Sequence, residues 1–398
     1  MTTARVLFVD DEPRILDGIR RSLRGKRREW DMAFAPGGED ALELLAGSAF
    51  DVVVSDMRMP GIDGAELLTR VSERHPEVAR VVLSGHTEPA AAIKVALAGH
   101  RFLTKPTETE ALVSVIEELV VRTSRGHGGL ARRIAGATRA LPALPQQKAK
   151  LDALLAAPQV DLAGLVHAVG HDTSLTAKLL QLSNWGFFGA RPRNTSVAAV
   201  VNTVGVPTIQ ALVAASEGLW SAVTWQPAAE ESALAAWRHA IACAALVDDV
   251  ASPAHRPHAH AAAVLQDIGR LMGVGGGPTA ADPAADAHRA GDPGGVPYRE
   301  IGVELLHLWG LPSPIVAAVA ERDTAHRPAE SGLAVTGAVR AAHLLIQRTE
   351  SRDPADGAHS DELRLLLAHP QLAAQSVDWA RAADEASAQA GRWLGIET

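Results

Sequence analysis

Four short, uninterrupted apolar runs recur in the first 120 residues, separated by stretches with apolar positions at three- and four-residue spacing. The runs are "ARVLFVD" (4–10), "FDVVVSD" (50–56), "RVVLSG" (80–85) and "HRFLTK" (100–105). Each reads as a strand covered on both faces, because the apolar positions are continuous rather than alternating. "DMAFAP" (31–36) is a weaker fifth, early in the order. Helical periodicity occupies 13–24, 38–46, 64–74, 89–98 and about 108–122, the last opened by Thr107 and Glu110 as a capping box. Five βα repeats predict a doubly wound parallel sheet with right-handed crossovers.

The texture changes after residue 122. "TSRGHGGLARRIAGATRALP" is rich in Gly and Arg, has no steady apolar period, and reads as a linker over 123–140. From about 141 the strand signal disappears, and helix patterns follow one another with breaks at Pro, Gly and Asp. Residues 274–297 read as a long Gly/Pro loop, followed by helices at 299–309, 314–322, 332–350, 361–368 and 376–394. The expected division is an α/β domain at 1–122, an all-α domain at 141–330 and a helical extension at 331–398. "SGLAVTGAVRAAHLLIQR" is amphipathic enough to pack back on the second domain. "SVDWARAADEASAQAGRWLG" leaves a solvent-facing end and a homodimer-forming end equally open.

Composition narrows the class. The 398 residues are 47% hydrophobic but only 4% aromatic, as in an Ala-rich, mainly helical protein. No stretch of about 18 uncharged apolar residues occurs, so no membrane span is expected. The first residues lack the basic region and apolar core of a secretory signal. The one cysteine, Cys243, precludes an internal disulfide and suits a reducing cytoplasm; in its Ala-rich helix it reads as an inert core thiol. A net charge of −8 gives no general attraction to nucleic acid, and the basic run at 20–30 reads as an exposed helix face. "VGVPTIQALVAA" (204–215) has a turn-then-helix look but lacks the basic residues of a DNA reader.

The chemistry of the first half lies at strand ends, where open α/β sheets bind ligands. Asp10 and Asp11 follow the first strand, Asp56 ends the third, Ser84 the fourth and Lys105 the fifth. Adjacent carboxylates repel one another, and a hard cation such as Mg²⁺ would offset that repulsion. Phosphoryl transfer to a carboxylate needs a metal and a cation on the phosphoryl oxygens, plus a hydroxyl donor; Lys105 and Ser84 are of those types. Taken singly, each has a blander use, as a helix cap, a turn acid or a surface charge.

These residues carry a resemblance. "FVDDEPRILDGIRRSL", "DVVVSDMRMPGIDGAELL", "VVLSGH" and "FLTKP" resemble a response-regulator receiver domain over about residues 3–122, which implies a flavodoxin-like fold of five parallel strands. The resemblance implies that Asp56 is the phosphoacceptor. It makes Asp11 a direct Mg²⁺ ligand, Asp10 one acting partly through water, and the backbone carbonyl of Arg58 a further ligand beside Asp56. Ser84 is then the hydroxyl that reorients, Phe102 the switch aromatic and Lys105 the phosphoryl contact, with a cis Lys105–Pro106 bond. A sensor histidine kinase or phosphotransfer protein would supply the phosphoryl group.

The second half resembles the HDOD domain, an output module related to HD-type metal phosphohydrolases. The matching stretches include "HDTSLTAKLLQLSNWGFFG", "AWRHAIACA", "AAAVLQDIGRLM" and "IGVELLHLWGLPSPIVAAV". His239 matches the first ligand of the phosphohydrolases, but Gln266 stands where their second His would be, before the retained Asp267. Tyr298 and "ERDTAH" stand where some relatives carry further histidines. A neutral amide is a weak ligand where imidazole is strong. No fourth ligand stands out, since Asp282, Asp286, Asp292 and Asp323 lie in or near loop sequence. The expectation is a degenerate site without a cofactor, with His239 and Asp267 either a buried hydrogen-bonded pair or polar residues tying helices together, in a domain that binds a downstream protein. The alternative is a receiver-gated phosphohydrolase acting on a nucleotide or cyclic dinucleotide. "HRPHAH" (255–260) reads as an exposed, Pro-containing loop, and Trp185, Phe187 and Phe188 as helix-end packing.

Overall fold

The computed structural model describes residues 3–85, 99–120, 128–138, 141–185, 196–214, 220–221, 227–272, 296–324, 333–350 and 357–396. Its first part is a five-stranded parallel sheet in the order β2-β1-β3-β4-β5, with β1 Ala4–Val9, β2 Trp30–Ala35, β3 Val52–Asp56, β4 Ala79–Ser84 and β5 Arg101–Thr104. Every residue of β3 and β4 is buried, as continuous Val/Leu runs require when helices cover both faces. The described helices of this half are α1 Pro13–Ser22, α2 Gly38–Gly47, α3 Gly64–Arg74 and α4 Thr109–Val120. The helix expected at 89–98 lies outside the described residues. Thr107 does not cap α4; its hydroxyl donates to the Thr104 carbonyl at 2.7 Å, tying the β5–α4 turn.

Register fixes the strand ends. Val9 pairs with Ser55, Asp56 with Leu83 and Ser84 with Thr104, so Asp10, Asp56, Ser84 and Lys105 emerge along one edge. At α3 the Asp63 carboxylate caps the helix by accepting from the Glu66 amide at 2.8 Å. Gly64 begins α3 hard against β3: a Cβ there would come within 2.0 Å of the Asp56 carbonyl oxygen.

The helix that follows departs from expectation. α5, Gly128–Ala137, lies within the stretch read as a linker. Its inward positions are Ala131, Arg132 and Ala135, a face with little apolar periodicity. Arg132 anchors it: Nε donates to the Glu77 carbonyl at 2.8 Å and Nη1 to the Leu119 carbonyl at 3.0 Å, and Nη1 also pairs with Glu304 at 3.3 Å. One side chain thus joins the sheet domain to the helical part.

That part comprises α6 Pro145–Ala156, α7 Leu162–Gly170, α8 Thr173–Ser183, α9 Val197–Val204, α10 Val206–Ala214, α11 Pro227–Val250, α12 Arg256–Leu265 and α13 Ile268–Met272. It continues with α14 Tyr298–Leu308, α15 Ser313–Glu321, α16 Val335–Glu350, α17 Gly357–Leu367, α18 Pro370–Ala373 and α19 Trp379–Leu394. Every residue of α8 is buried, polar ones included. The part is not wholly helical, since β6 Leu141–Pro142 pairs in parallel with β7 Trp220–Ser221. Two-residue strands leave no periodicity to read. Residues 256–260 of "HRPHAH" form the start of α12 rather than a loop; Pro257 sits in the first turn, where its missing N–H is no loss. α16 and α19 both pack on α11. In α19 the buried positions are Trp379, Ala383, Ala386, Ala390, Gly391 and Leu394, one face at helical spacing, so this segment is seated rather than solvent-facing. No single described helix is long and apolar enough to cross a membrane.

Candidate functional site

At the edge of the sheet, Asp10 and Asp56 are buried and share one cation. Lys105 Nζ lies 2.7 Å from Asp10 Oδ2 and also contacts Asp56 Oδ1. Backbone amides take the other carboxylate oxygens: Arg58 N donates to Asp56 Oδ2 at 2.6 Å and Glu12 N to Asp10 Oδ1 at 2.9 Å. Burial works against the Lys105 ammonium, but its bonds to Asp10 and Asp56 outweigh that and hold its pKa above the ordinary lysine value. The Lys105 amide donates to the Ser84 carbonyl at 2.9 Å, and the following peptide bond to Pro106 is cis. Ser84 is buried, Asp11 half-buried and Arg58 exposed. The side chains of Asp10, Asp11 and Asp56 and the Arg58 carbonyl offer only oxygen, the donor set a hard cation such as Mg²⁺ takes. The residues present therefore fit that ion.

Phe102 points the other way along the chain's logic, into the helical part. Its ring stacks on Trp185, just beyond α8, with centroids 5.9 Å apart and planes 24° from parallel. Both rings are 3% exposed. Arg101 beside it closes the end of α14, with Nε donating to the Leu308 carbonyl at 2.9 Å and Nη2 to the His307 carbonyl at 2.7 Å. These are last-turn carbonyls; that of His307 also accepts from the Gly310 amide at 3.1 Å. Gly310 makes room for this guanidinium: it has φ +79°, and a Cβ would meet Arg101 Nη1 at 1.9 Å. The Gln181 amide donates to the His100 carbonyl at 3.2 Å, and His307 Nε2 bonds the Glu118 carbonyl at 2.7 Å. β5 and α4 are thus stitched to α8 and α14. Sequence reasoning gave Trp185 to helix-end packing and did not single out Arg101; Phe187 and Phe188 lie outside the described residues.

The HD-type positions come together only loosely. Gln266 and Asp267 bridge α12 and α13. Asp267 is buried and accepts from Arg322 Nη1 at 2.7 Å, with Arg270 Nε at 3.3 Å. Burial pushes the Asp267 carboxyl up, but Arg322 and then His239 hold it below the ordinary aspartate value. Of the two expected uses of His239 and Asp267, a mutual hydrogen bond is not formed, and each residue ties separate segments together. His239 Nδ1 instead meets Glu350 Oε2 at 2.8 Å, and its Nε2 meets His343 Nδ1 at 2.8 Å and Cys243 Sγ at 3.5 Å. Burial pushes the His343 imidazole down to about 3. Gln266 is 2% exposed, and neither atom of its side-chain amide has a partner among the described residues. A cavity of about 160 Å³ opens beside it, lined also by Arg270, Tyr298, Arg299 and Arg322. Arg322, His343 and Glu350 escaped sequence reasoning. Arg322 stands beside Asp323 in "ERDTAH", where only metal-ligand types draw the eye, and His343 lies on the apolar face of a helix.

Two family models match the chain: the response regulator receiver domain over residues 6–117 and the HDOD domain over residues 141–325. Among curated proteins, the hydrogenase transcriptional regulatory protein HoxA of Cupriavidus necator is 36% identical over 119 residues. That match covers 29% of this chain and 24% of HoxA. The response regulator UvrY of Escherichia coli is 36% identical over 115 residues, covering 29% of this chain and 53% of UvrY. The chain therefore spans only a quarter to about half of these relatives' length. A solved signal receiver domain of an HD domain-containing protein from Pseudomonas fluorescens is 27% identical, covering 30% of this chain and 95% of that one at a TM-score of 0.29.

Proposed function

With residues 6–117 a response regulator receiver domain and residues 141–325 an HDOD domain, we propose that this response regulator is switched at Asp56 and acts through a helical module that binds a protein. The observation that carries the reading is the convergence of Asp10, Asp56 and Lys105 at one sheet edge. Asp56 Oδ1 attacks the phosphorus of a phosphohistidine or small phosphodonor; the new O–P bond forms as the P–N or P–O bond to the donor breaks. Lys105 then follows the negative charge onto the phosphoryl oxygens. Asp10, Asp11, Asp56 and the Arg58 carbonyl would hold Mg²⁺, which when bound would supply further positive charge to those oxygens. The Ser84 hydroxyl turns towards the phosphoryl group, and Phe102 follows. Because Phe102 packs on Trp185, its movement is felt directly by α8.

The output domain is drawn at 141–330, with the helices of 331–398 seated on it. It works by binding rather than hydrolysis. Gln266 occupies the place of a metal-binding His, and Asp267 is already engaged by two guanidinium groups, so a phosphohydrolase centre lacks its ligands. The partners are a sensor histidine kinase or phosphotransfer protein upstream and a protein downstream. Asp56→Asn tests the assignment: it abolishes labelling by a small phosphodonor, and stoichiometric labelling of that variant would refute the role given to Asp56.

A further inference from the structure

We propose that His239, Cys243 and His343 form a binding site for a borderline divalent cation, zinc above all. His239 and Cys243 are four residues apart on α11 and so share one face; His343 comes from α16, packed against it. One ligand atom from each residue lies within 4.8 Å of the other two. A tetrahedral zinc with bonds of about 2.0–2.1 Å to nitrogen and about 2.3 Å to sulfur sets its ligand atoms roughly 3.3–3.6 Å apart. The Cys243 Sγ to His239 Nε2 distance of 3.5 Å already meets this. The two imidazoles, hydrogen-bonded at 2.8 Å, need to part by only about 0.5 Å, the change expected when an ion replaces a proton between them.

What distinguishes this cluster from a chance contact is what stands behind it. His239 Nδ1 is held by the Glu350 carboxylate at 2.8 Å, which leaves Nε2 turned to the common point. His343 presents Nδ1 to the same point, and its Nε2 faces the Asp323 carboxylate at 3.8 Å. A carboxylate hydrogen-bonded behind a ligating imidazole is the outer arrangement that fixes ring orientation in zinc sites, and Glu350 supplies it to His239. The sulfur selects a borderline cation over Mg²⁺ or Ca²⁺. Cys243 is fully buried and the side chains of His239 and His343 are each 11% exposed, which limits competition from water. The Arg322 guanidinium, whose charge reaches His343, is itself bound by Asp267 and Asp323. The site shares only His239 with the HD-type positions. It is independent of the reading of Asp56 and of the partner.

The test is Co²⁺ titration of the full-length, metal-free chain. One equivalent is expected to give tetrahedral visible bands and a thiolate-to-cobalt charge-transfer band in the near ultraviolet, all removed by Zn²⁺. Cys243→Ser loses the charge-transfer band, His343→Gln weakens binding at least about tenfold, and Glu350→Gln weakens it about 10- to 100-fold with circular dichroism unchanged. The proposal is overturned if the wild-type chain shows no charge-transfer band, or if the band survives in Cys243→Ser. Should Cys243→Ser fail to fold, unaltered affinity in both His343→Gln and Glu350→Gln overturns it equally.

Discussion

The contact between Phe102 and Trp185 is where a change at the sheet edge would reach the helical domain, and its strength can be measured. An offset-stacked aromatic pair contributes about 0.5–1.5 kcal/mol beyond the area it buries. At about 1.4 kcal/mol per tenfold, this biases a two-state switch by about 2- to 12-fold. Phe102 sits on Trp185 with both rings nearly inaccessible, so the stack favours the arrangement described here over one in which Phe102 has moved. Trp185→Leu and Phe102→Leu are therefore each expected to raise the initial rate of Asp56 labelling by a small phosphodonor by about 2- to 12-fold. The double variant should gain little over either single one, because both remove the same interaction. Trp185→Phe is the control. It keeps a ring against Phe102 and deletes an indole N–H that has no partner among the described residues, so labelling should stay at the wild-type rate. The reasoning fails if Trp185→Leu labels at the wild-type rate, or if the double variant gives the product of the two single effects.

Two further outcomes follow from buried polar groups and backbone geometry. Asp172 caps α8, accepting from the Leu175 amide at 2.7 Å, yet burial raises its carboxyl from 3.8 to about 6. The folded chain thus holds the proton more tightly than the unfolded one, so this group's contribution to stability falls as pH rises from about 4 to 6, by about 3 kcal/mol in all. Asp172→Asn keeps a good capping side chain and removes that loss. It should raise the thermal midpoint at pH 7–8 and change it little near pH 4, and a pH-independent difference would contradict this account. Gly310→Ala forces a side chain into a positive-φ position and against Arg101, which then gives up its bonds to the His307 and Leu308 carbonyls. We expect a loss of at least about 1 kcal/mol and faster limited proteolysis between the two domains, and unchanged digestion would count against the role given to Arg101.

The amino-acid sequence by itself determined the five strands of the sheet domain and the residues at their ends, because continuous β-branched runs and strand-end acids are local signals. It also implied that the two halves differ in kind. Tertiary structure alone decided how they meet. α5 hid in a stretch read as linker because its buried face is made of Ala and Arg132, and an arginine reads as surface until its partners, the Glu77 and Leu119 carbonyls and Glu304, are in view. The partners of Asp267 and His239 were equally illegible. Arg322 lies 55 residues from Asp267, and Glu350 and His343 lie 111 and 104 residues from His239. Neither charge pairing nor imidazole contact leaves a periodicity in the chain, so folding had to bring these groups together before their chemistry could be read.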